Sequence, residues 1–359
     1  MSRLRQLVSV NIPDHFRAWF LQAYRHPLPF LSGLGVLPLV LIIGLTYQVN
    51  ANLWRRQTLH NLGVTARLAA EIIKETLEET LRFERMLIAQ PGIGNELKTQ
   101  DRARLTHRLQ HALTFMPRVD RAMLLTLQGQ VVAAHPNHPG LIGSTVAERE
   151  PFRGAQQSSW RPYVSAVYLR EGPEAEKVVG VMWPISQGDQ VIGLLQAQHR
   201  VEEVKSWLQK IRIDPQGFLY VVDQRDQLVV FPFQVLRGQP KAVSDWPPVA
   251  KPMAKEGTTL VFRNARDGKR WLAAVYPVES TGWRVVAVQP ERAALRAFDQ
   301  VFWSLGMVMV FLVGLVVAAV LRWAQLHTLS LRLMRQNAKL LKQLQQHRLF
   351  ERGSQKGQP

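Results

Sequence analysis

The sequence contains no cysteine, so neither a disulfide nor a thiolate nucleophile takes part in its chemistry. It also lacks a G-x-S-x-G elbow and a Walker phosphate loop. His107 and His111 are four residues apart, but the intervening Arg-Leu-Gln lacks the glutamate of a zinc-protease helix. We therefore predict that the protein is not an enzyme and that it has neither a metal site nor a bound cofactor.

Charged residues are missing from two long runs of the chain, between Arg25 and Arg55 and between residues 300 and 321. A helix rises about 1.5 Å per residue, so each run is long enough to cross a hydrocarbon core of roughly 30 Å. We predict two transmembrane helices, at 28–48 and 300–322. Small residues around Ala51 leave a cleaved signal peptide open, but the apolar run is long for one, and we favour an uncleaved anchor.

Acidic residues are scarce, with 27 Asp and Glu against 45 Lys and Arg and a formal net charge of +18. Much of the excess flanks the two apolar runs, in residues 1–27 and 322–359. Basic flanks predict that both termini are cytoplasmic and contact anionic lipid, with residues about 50–298 on the other side of the membrane. The other basic residues are scattered and accompany no reader motif, so we predict no nucleic-acid binding.

The region between the two runs begins with helices. Apolar residues recur at steps of three and four through residues 52–90, which predicts a long stalk helix with one stripe for a partner helix or a domain face. It ends at Gln90-Pro91-Gly92, a helix-stop signal. A second helix is predicted from Arg102 to Phe115, before Pro117, and a third helical pattern runs from Val201 to Ile211.

An internal repeat follows the first two helices. Met123 to Pro136 matches Leu219 to Pro232, since both read as strand, polar turn, strand and proline, and the run from Val178 matches the run from Trp271. Polar turns between apolar runs indicate β-hairpins. We predict two tandem modules, each with a four-stranded antiparallel sheet that is covered by helices on one face.

The stretch 148–165, EREPFRGAQQSSWRPYVS, combines arginines with aromatic residues. Proline and glycine break it too often for one regular element, so we predict that it forms a lining or a lid of a binding site. Asp223 lies at the end of a predicted strand, where we expect it to stabilise the turn that follows. The alternative is that it lines a second pocket.

The predicted order of a transmembrane helix, a stalk helix, two PAS-like modules and a second transmembrane helix resembles the double Cache sensor domain. This domain occurs in bacterial chemoreceptors, sensor kinases and diguanylate cyclases. The resemblance spans about residues 55–290. It rests on these motifs: Gly143-Ser144-Thr145, Glu148-Arg149-Glu150-Pro151-Phe152, Tyr163-Val164-Ser165, Trp183-Pro184-Ile185, Ile192-Gly193, Gly217 to Asp223 and Thr281-Gly282-Trp283. It implies a bacterial inner (plasma) membrane protein with a periplasmic sensor domain.

The predicted organisation is α+β. Its segments are a cytoplasmic tail (1–27), a transmembrane helix (28–48), the stalk helix (52–90), a membrane-distal Cache module (91–210), a membrane-proximal Cache module (211–297), a second transmembrane helix (300–322) and a basic cytoplasmic helix (323–359).

Members of this family usually hold a small molecule in the distal module, between the sheet and a loop with an Arg-x-aromatic-aromatic pattern. Arg149 and Phe152 match that pattern, whereas Pro151 replaces an aromatic residue. Amino-acid-binding members also place a carboxylate on a late strand, and here the strand offers Gln196 and Gln198. The resemblance therefore implies a ligand other than an ordinary α-amino acid.

Because a buried arginine needs an anionic partner, we favour a small carboxylate as the ligand. The predicted ligand-binding residues are Arg149, Phe152, Arg153, Trp160, Tyr163, Tyr168, Trp183 and Gln196. The alternative is that Arg149 pairs with Glu148 or Glu150 and that the aromatic residues belong to the core.

The segment after Leu321 is too short for a kinase or cyclase domain. Leu326, Leu333 and Leu340 repeat every seven residues, with Asn337 between them, which predicts a parallel homodimeric coiled coil. A basic amphipathic helix on the inner leaflet is the alternative. We predict a sensory receptor that relays its signal to a separate cytoplasmic protein. The alternative is a non-signalling envelope protein that uses the modules for ligand binding or as a scaffold.

Overall fold

The computed structural model describes residues 27–354, except 171–175, 209–210, 214–215, 234–237, 253 and 255–256. Of the predicted tail, 1–27, residues 1–26 lie outside the described residues. The chain divides into a unit that ends at Leu295 and a unit that begins at Arg296.

Three helices open the first unit: α1 (Pro27–Ile88), α2 (Ile93–Lys98) and α3 (Arg102–Leu113). The predicted stalk and the predicted first membrane span are therefore parts of one continuous helix. α3 begins after Asp101, whose carboxylate accepts a hydrogen bond from the Arg104 N–H at 3.2 Å. It ends at Leu113, two residues earlier than predicted, and Pro117 disfavours a helical conformation at Met116 beyond it.

The distal module contains a six-stranded antiparallel sheet. Its strands are β1 (Arg121–Thr126), β2 (Val131–His135), β3 (Tyr163–Val164), β4 (Tyr168–Leu169), β5 (Lys177–Gln187) and β6 (Gln190–Arg200). The order is β2-β1-β6-β5-β3, and β4 also pairs with β5. The predicted β5–β6 hairpin is confirmed, with Gly188 at φ 63° in its two-residue loop.

The proximal module contains a five-stranded antiparallel sheet in the order β8-β7-β11-β10-β9. Its strands are β7 (Phe218–Val222), β8 (Leu228–Val230), β9 (Thr258–Arg263), β10 (Arg270–Val278) and β11 (Trp283–Pro290). Four strands per module were predicted. The additional strands escaped notice because β3 and β4 have two residues each and β9 is mostly half-buried, without a clear alternation.

Four further helices are described. Three lie between strands along the chain and the last follows β11: α4 (Glu150–Gln157), α5 (Val201–Trp207), α6 (Pro247–Ala250) and α7 (Glu291–Ser354). The stretch 148–165 is not one regular element, as predicted, because it contains α4, a turn and β3. Its role as a lining or lid stays a prediction. Pro151 is compatible with α4 since it lies in the first turn, where a missing N–H breaks no helical hydrogen bond.

One face of each sheet packs against α1. The shared apolar core joins Ala66, Ala69 and Ile73 of α1 to strand residues of both modules. Those strand residues include Val179, Val181, Ala197, Val221, Leu272, Val285 and Ala287. A single helix therefore supports both sheets, and the opposite sheet faces are left for the loops and short helices.

α7 begins immediately after β11, with no loop between Pro290 and Glu291. Among the described residues, one helical segment is long and apolar enough to cross a membrane, Glu291–Trp323, and its most apolar 18-residue stretch has a mean hydropathy of 2.7. It contains the predicted second span. The predicted first span, 28–48, lies within α1 and stays a prediction.

Candidate ligand-binding site

Helix α4 packs on the distal sheet face that points away from α1. Phe152 is buried there and meets Trp160 edge to face, with 5.5 Å between ring centroids. Gly154 lies directly on the ring of Tyr163, and a Cβ at this position would overlap that ring. The close contact between helix and sheet therefore depends on glycine at position 154.

The cross-strand register identifies the residues beneath α4. Met123 of β1 and Met182 of β5 both lie opposite Gln196 of β6, so their side chains share one face. An apolar cluster on this face includes Met123, Leu125, Ala134, Phe152, Ala155, Met182 and Leu194. Gln196 is thus a polar group within a largely apolar contact between sheet and lid.

A buried tyrosine organises the polar end of this face. The Tyr168 hydroxyl accepts hydrogen bonds from Gln196 Nε2 at 3.0 Å and from Gln198 Nε2 at 2.8 Å. Burial raises the pKa of Tyr168 well above its usual range because it disfavours the phenolate. The hydroxyl therefore keeps its proton and can donate one further hydrogen bond.

Arg121 is a site residue that the sequence reading missed. It lies opposite Gln198, on the face beneath the lid, and its side chain is buried, at 5% relative exposure. Within the described part of the chain, its Nε has no hydrogen-bond partner. Burial lowers the pKa of its guanidinium, and the positive charge of Arg170 lowers it further, although arginine remains protonated. Alternation along β1 places Arg121 on the same face as Met123, and this was the available signal.

Ion pairs surround this arginine. Arg170 pairs with both Asp120 and Glu176, and Arg200 lies 3.1 Å from Asp120 and 3.7 Å from Glu176. With Arg121, three guanidinium groups thus face two carboxylates among the residues described. The cluster has an excess of positive charge, which suits an anion.

Arg149 and Arg153 have different surroundings. Arg149, the residue immediately before α4, is half-buried. Its positive charge lowers the pKa of Tyr168, although burial has the larger and opposite effect on that pKa. Arg153 points to the surface and pairs with Glu148. The structure therefore brings Arg149, but not Arg153, towards the polar cluster.

Trp183 also differs from its predicted position. It lies opposite Leu195, on the sheet face towards α1, because neighbouring Met182 points to the lid and side chains alternate along a strand. Trp160 and Tyr163 lie on the lid side, as the lid hypothesis requires. Among the described residues, no three His, Asp or Glu side chains form a group that could hold a metal ion.

A family profile described as Cache domain, of the double Cache type, matches residues 50–298. The chain belongs to the double Cache family. A comparison with curated protein sequences found no match.

Solved structures of similar fold include ligand-binding domains of bacterial chemoreceptors. The ligand-binding domain of Pseudomonas fluorescens chemoreceptor CtaA, in complex with L-leucine, has a TM-score of 0.55 and 16% identity, over 68% of this chain and 99% of that chain. The domain of Pseudomonas aeruginosa PctB, in complex with L-Gln, has a TM-score of 0.52 and 15% identity, over 68% and 98%. At such identities the similarity establishes the fold of this chain and no more.

In this double Cache domain, Glu150 connects the lid to the rest of the module. Its Oε1 accepts hydrogen bonds from the Tyr163 hydroxyl at 2.9 Å and from the Ala166 N–H at 3.1 Å. Burial raises the pKa of this carboxyl, and the two hydrogen bonds partly offset that effect. Arg225 of the proximal module lies 3.6 Å from the same oxygen.

Asp223 joins the two modules. Its Oδ1 accepts hydrogen bonds from the N–H groups of Arg225 and Gln227, which confirms the predicted turn role. Its Oδ2 accepts the Val167 N–H of the distal module at 2.9 Å. Burial raises the pKa of Asp223, whereas these hydrogen bonds lower it and partly offset the effect of burial. No local sequence pattern predicts this second contact, because Asp223 and Val167 are far apart along the chain.

The stalk helix meets the back of the site through two buried polar residues. Glu84, at 1% exposure, accepts the Ala197 N–H at 2.9 Å, between Gln196 and Gln198 of β6. His199 Nδ1 pairs with the Arg118 carbonyl at 2.9 Å, which leaves Nε2 to accept a hydrogen bond from Thr80 at 3.1 Å. Burial raises the pKa of Glu84 and lowers that of His199 to about 4.

Proposed function

We propose that this double Cache protein is a bacterial inner-membrane sensory receptor that binds a small organic carboxylate between α4 and the distal sheet. The observation that carries the proposal is Arg121, a buried guanidinium on the lid-facing strand surface whose Nε has no hydrogen-bond partner among the described residues. A buried cation without a full set of partners is costly, and a carboxylate would supply both the charge and the acceptors.

The proposed ligand contacts come from the sheet and the lid. Arg121 and Arg149 would bind the carboxylate, and the Tyr168 hydroxyl would donate to it. The remaining proposed contacts are Phe152, Trp160, Tyr163 and Gln196. Arg153 and Trp183 are left out because one is paired at the surface and the other lies on the opposite sheet face.

An ordinary α-amino acid fits less well, although the CtaA and PctB domains are in complex with L-leucine and L-Gln. An ammonium group would need a carboxylate near the bound carboxyl. Asp120 and Glu176, beside the cluster, are already paired with Arg170 and Arg200. Glu150, also near Tyr168, accepts hydrogen bonds from the Tyr163 hydroxyl and the Ala166 N–H. We therefore propose an acid that carries no ammonium group.

We propose that the signal leaves the site through α1 and β11. Glu84 of α1 holds the backbone of β6 directly behind the site, so a shift of β6 would act on α1. At the other end of the domain, Glu291 contacts Arg55 Nε of α1 at 2.6 Å and Arg270 Nε of β10 at 3.0 Å. Because α7 starts at Glu291, a displacement of α1 or the proximal sheet would move its first turn.

The topology and the output complete the proposal. We propose two transmembrane helices, cytoplasmic termini in contact with inner-membrane lipid, and a homodimer joined through residues 323–359. The coil of this dimer would present the change to a separate cytoplasmic signalling protein.

A ligand screen tests the binding step. The full-length chain in lipid nanodiscs would be heated with acetate, lactate, pyruvate, succinate, malate or citrate, and unfolding followed by tryptophan fluorescence. We expect at least one acid to raise the melting temperature, with the rise lost in Arg121→Gln and kept in Arg161→Gln, an exposed arginine next to the lid. No shift with any acid, or an equal shift in Arg121→Gln, would refute the proposed site.

A further inference from the structure

The proximal module repeats the backbone of the distal lid. The Arg149 N–H donates to the Val146 carbonyl at 2.9 Å, and the Trp246 N–H donates to the Val243 carbonyl at 3.0 Å. The helix that follows has proline in its first turn in both modules. Trp246 therefore occupies, in the proximal module, the position that Arg149 occupies in the distal one.

The strands repeat in the same register. Isolated bridges join Gln130 to Thr145 and Gln227 to Ala242, at the same interval along the chain. That interval places Phe218 at the position of Arg121. Where the distal module has two arginines, the proximal module has two aromatic rings.

A cavity of about 410 Å³ lies at this place, between the proximal sheet and the segment that leads into α6. Its volume lies in the range of small-molecule sites. Its aromatic walls are Phe218, Tyr220, Phe231, Trp246, Phe262 and Trp271.

The aromatic walls are held by edge-to-face contacts. Tyr220 and Trp246 have ring centroids 5.3 Å apart at an interplanar angle of 79°, and Phe218 and Trp271 have centroids 5.9 Å apart at 74°. Such contacts stabilise a fixed arrangement of rings. Rings held in this way form a prepared surface for another flat ring.

Charges at the rim of the cavity restrict the ligand further. Lys241, Asp245 and Arg266 are exposed lining residues, and the Arg266 guanidinium lies over the Trp246 ring at 5.8 Å from its centroid. Neither Lys241 nor Arg266 forms an ion pair within the described part of the chain. A cationic ligand would be repelled by these two side chains, whereas a carboxylate would be attracted.

Tyr220 supplies a polar group inside the cavity. The residue is buried, at 2% exposure, and it lines the cavity. Burial raises the pKa of the hydroxyl well above its usual range, so it keeps its proton. The hydroxyl can therefore donate a hydrogen bond to an oxygen of a bound ligand.

We propose that the proximal module binds a small aromatic carboxylate in this cavity, as a second site distinct from the distal one. The ring stacks among the aromatic walls, and the carboxylate faces Lys241 and Arg266 at the rim. Aromatic residues thus select the ring, and the two cations select the charge.

Titration calorimetry on the full-length chain in nanodiscs tests this proposal with indole-3-acetate as the probe. We expect saturable binding that weakens at least tenfold in the double variant Lys241→Gln, Arg266→Gln and severalfold in Tyr220→Phe. The rim residues are exposed, so the double variant should fold normally. Arg263→Gln, an exposed arginine on β9 outside the cavity, should leave binding unchanged.

Further probes separate the alternatives. We expect cyclohexylacetate, which has the charge without the aromatic ring, and phenyltrimethylammonium, which has the ring with the opposite charge, to bind at least tenfold more weakly. Equal binding of either probe would overturn the proposed ligand class. Absence of saturable binding would overturn the site itself. So would a result in which Arg121→Gln abolishes binding while the double rim variant binds as tightly as the parent. Because Arg121 belongs to the distal site alone, failure of one site leaves the other testable.

Discussion

At the scale of single residues, Glu84 is a buried carboxylate whose Oε2 has no partner in the described part of the chain. Burial places its folded-state pKa well above the ordinary 4.5, so the folded state binds the proton more tightly than the unfolded state. Its contribution to stability is therefore present at low pH and is lost as the pH rises through the folded-state pKa.

We expect Glu84→Gln to stabilise the protein at pH 8 by about 1 kcal/mol or more, since one pKa unit corresponds to about 1.4 kcal/mol. The gain should shrink towards pH 4.5. Thermal unfolding of the full-length chain between pH 4.5 and 8 measures it, with Glu75→Gln, an exposed residue on the same helix, as the control. A variant that is less stable than the parent at pH 8 would show that the carboxylate is satisfied.

His199 has the opposite pH dependence. Its pKa is about 4 in the folded protein against an ordinary 6.5, because burial disfavours the imidazolium. The unfolded state therefore takes up the proton first, and stability falls as the pH drops from 6.5 towards 4. The loss attributable to this residue should reach roughly 3 kcal/mol.

We expect His199→Gln to flatten the stability profile between pH 6.5 and 4, whereas His107→Gln, at an exposed position, should keep the parent slope. Denaturant unfolding at several pH values provides the measurement. Equal slopes in the parent and His199→Gln would mean that the histidine is protonated in the folded state.

At the scale of elements, the contact between α4 and the sheet depends on Gly154. We expect Gly154→Ala to destabilise the distal module by about 1–3 kcal/mol, because the methyl group would overlap the Tyr163 ring. The second change Tyr163→Ala should recover part of this loss, as expected for residues in contact. Gly63→Ala, on an open helix surface, serves as the control. Additive effects of the two changes would show that lid and ring do not touch.

The same element shows how far the sequence leads. The hairpins were predictable because turn residues such as Gly188 are local signals, and the stalk because its apolar spacing is periodic. Helix α4 was not predictable, because Pro151 and Gly154 are residues that usually interrupt helices. In the structure Pro151 lies in the first turn, and Gly154 contacts the ring of Tyr163, which comes from outside the helix. Local rules cannot anticipate a contact that only the folded sheet creates.

The repeat illustrates a second limit. The sequence matched Met123 with Leu219, one residue away from the structural register, because the prolines that end the two runs suggested the alignment. In the structure each first strand has a register shift, at Leu124/Leu125 and at Val221/Val222. A one-residue slip exchanges the faces of a strand. It therefore hid the correspondence of Arg121 with Phe218 and that of Arg149 with Trp246.

At the scale of the whole molecule, the proposed dimer makes a direct prediction. The chain has no cysteine, so a single introduced cysteine is unique. We expect Leu333→Cys, in the predicted heptad seam, to form a disulfide-linked dimer under mild oxidation in membranes. Ala338→Cys, outside the seam, should do so at least tenfold more slowly. Equal rates would favour an amphipathic helix that lies singly on the inner leaflet.

The central claim is that a carboxylate bound beneath α4 changes the arrangement of α7 in the membrane-anchored receptor. Spin labels on Leu333→Cys in nanodiscs would report the distance between the two α7 helices of a dimer, before and after addition of an acid that raises the melting temperature. We predict a changed distance distribution in the parent and in Arg161→Gln, and no change in Arg121→Gln. A distribution that stays the same while the acid is bound would contradict signalling and favour a ligand-binding scaffold.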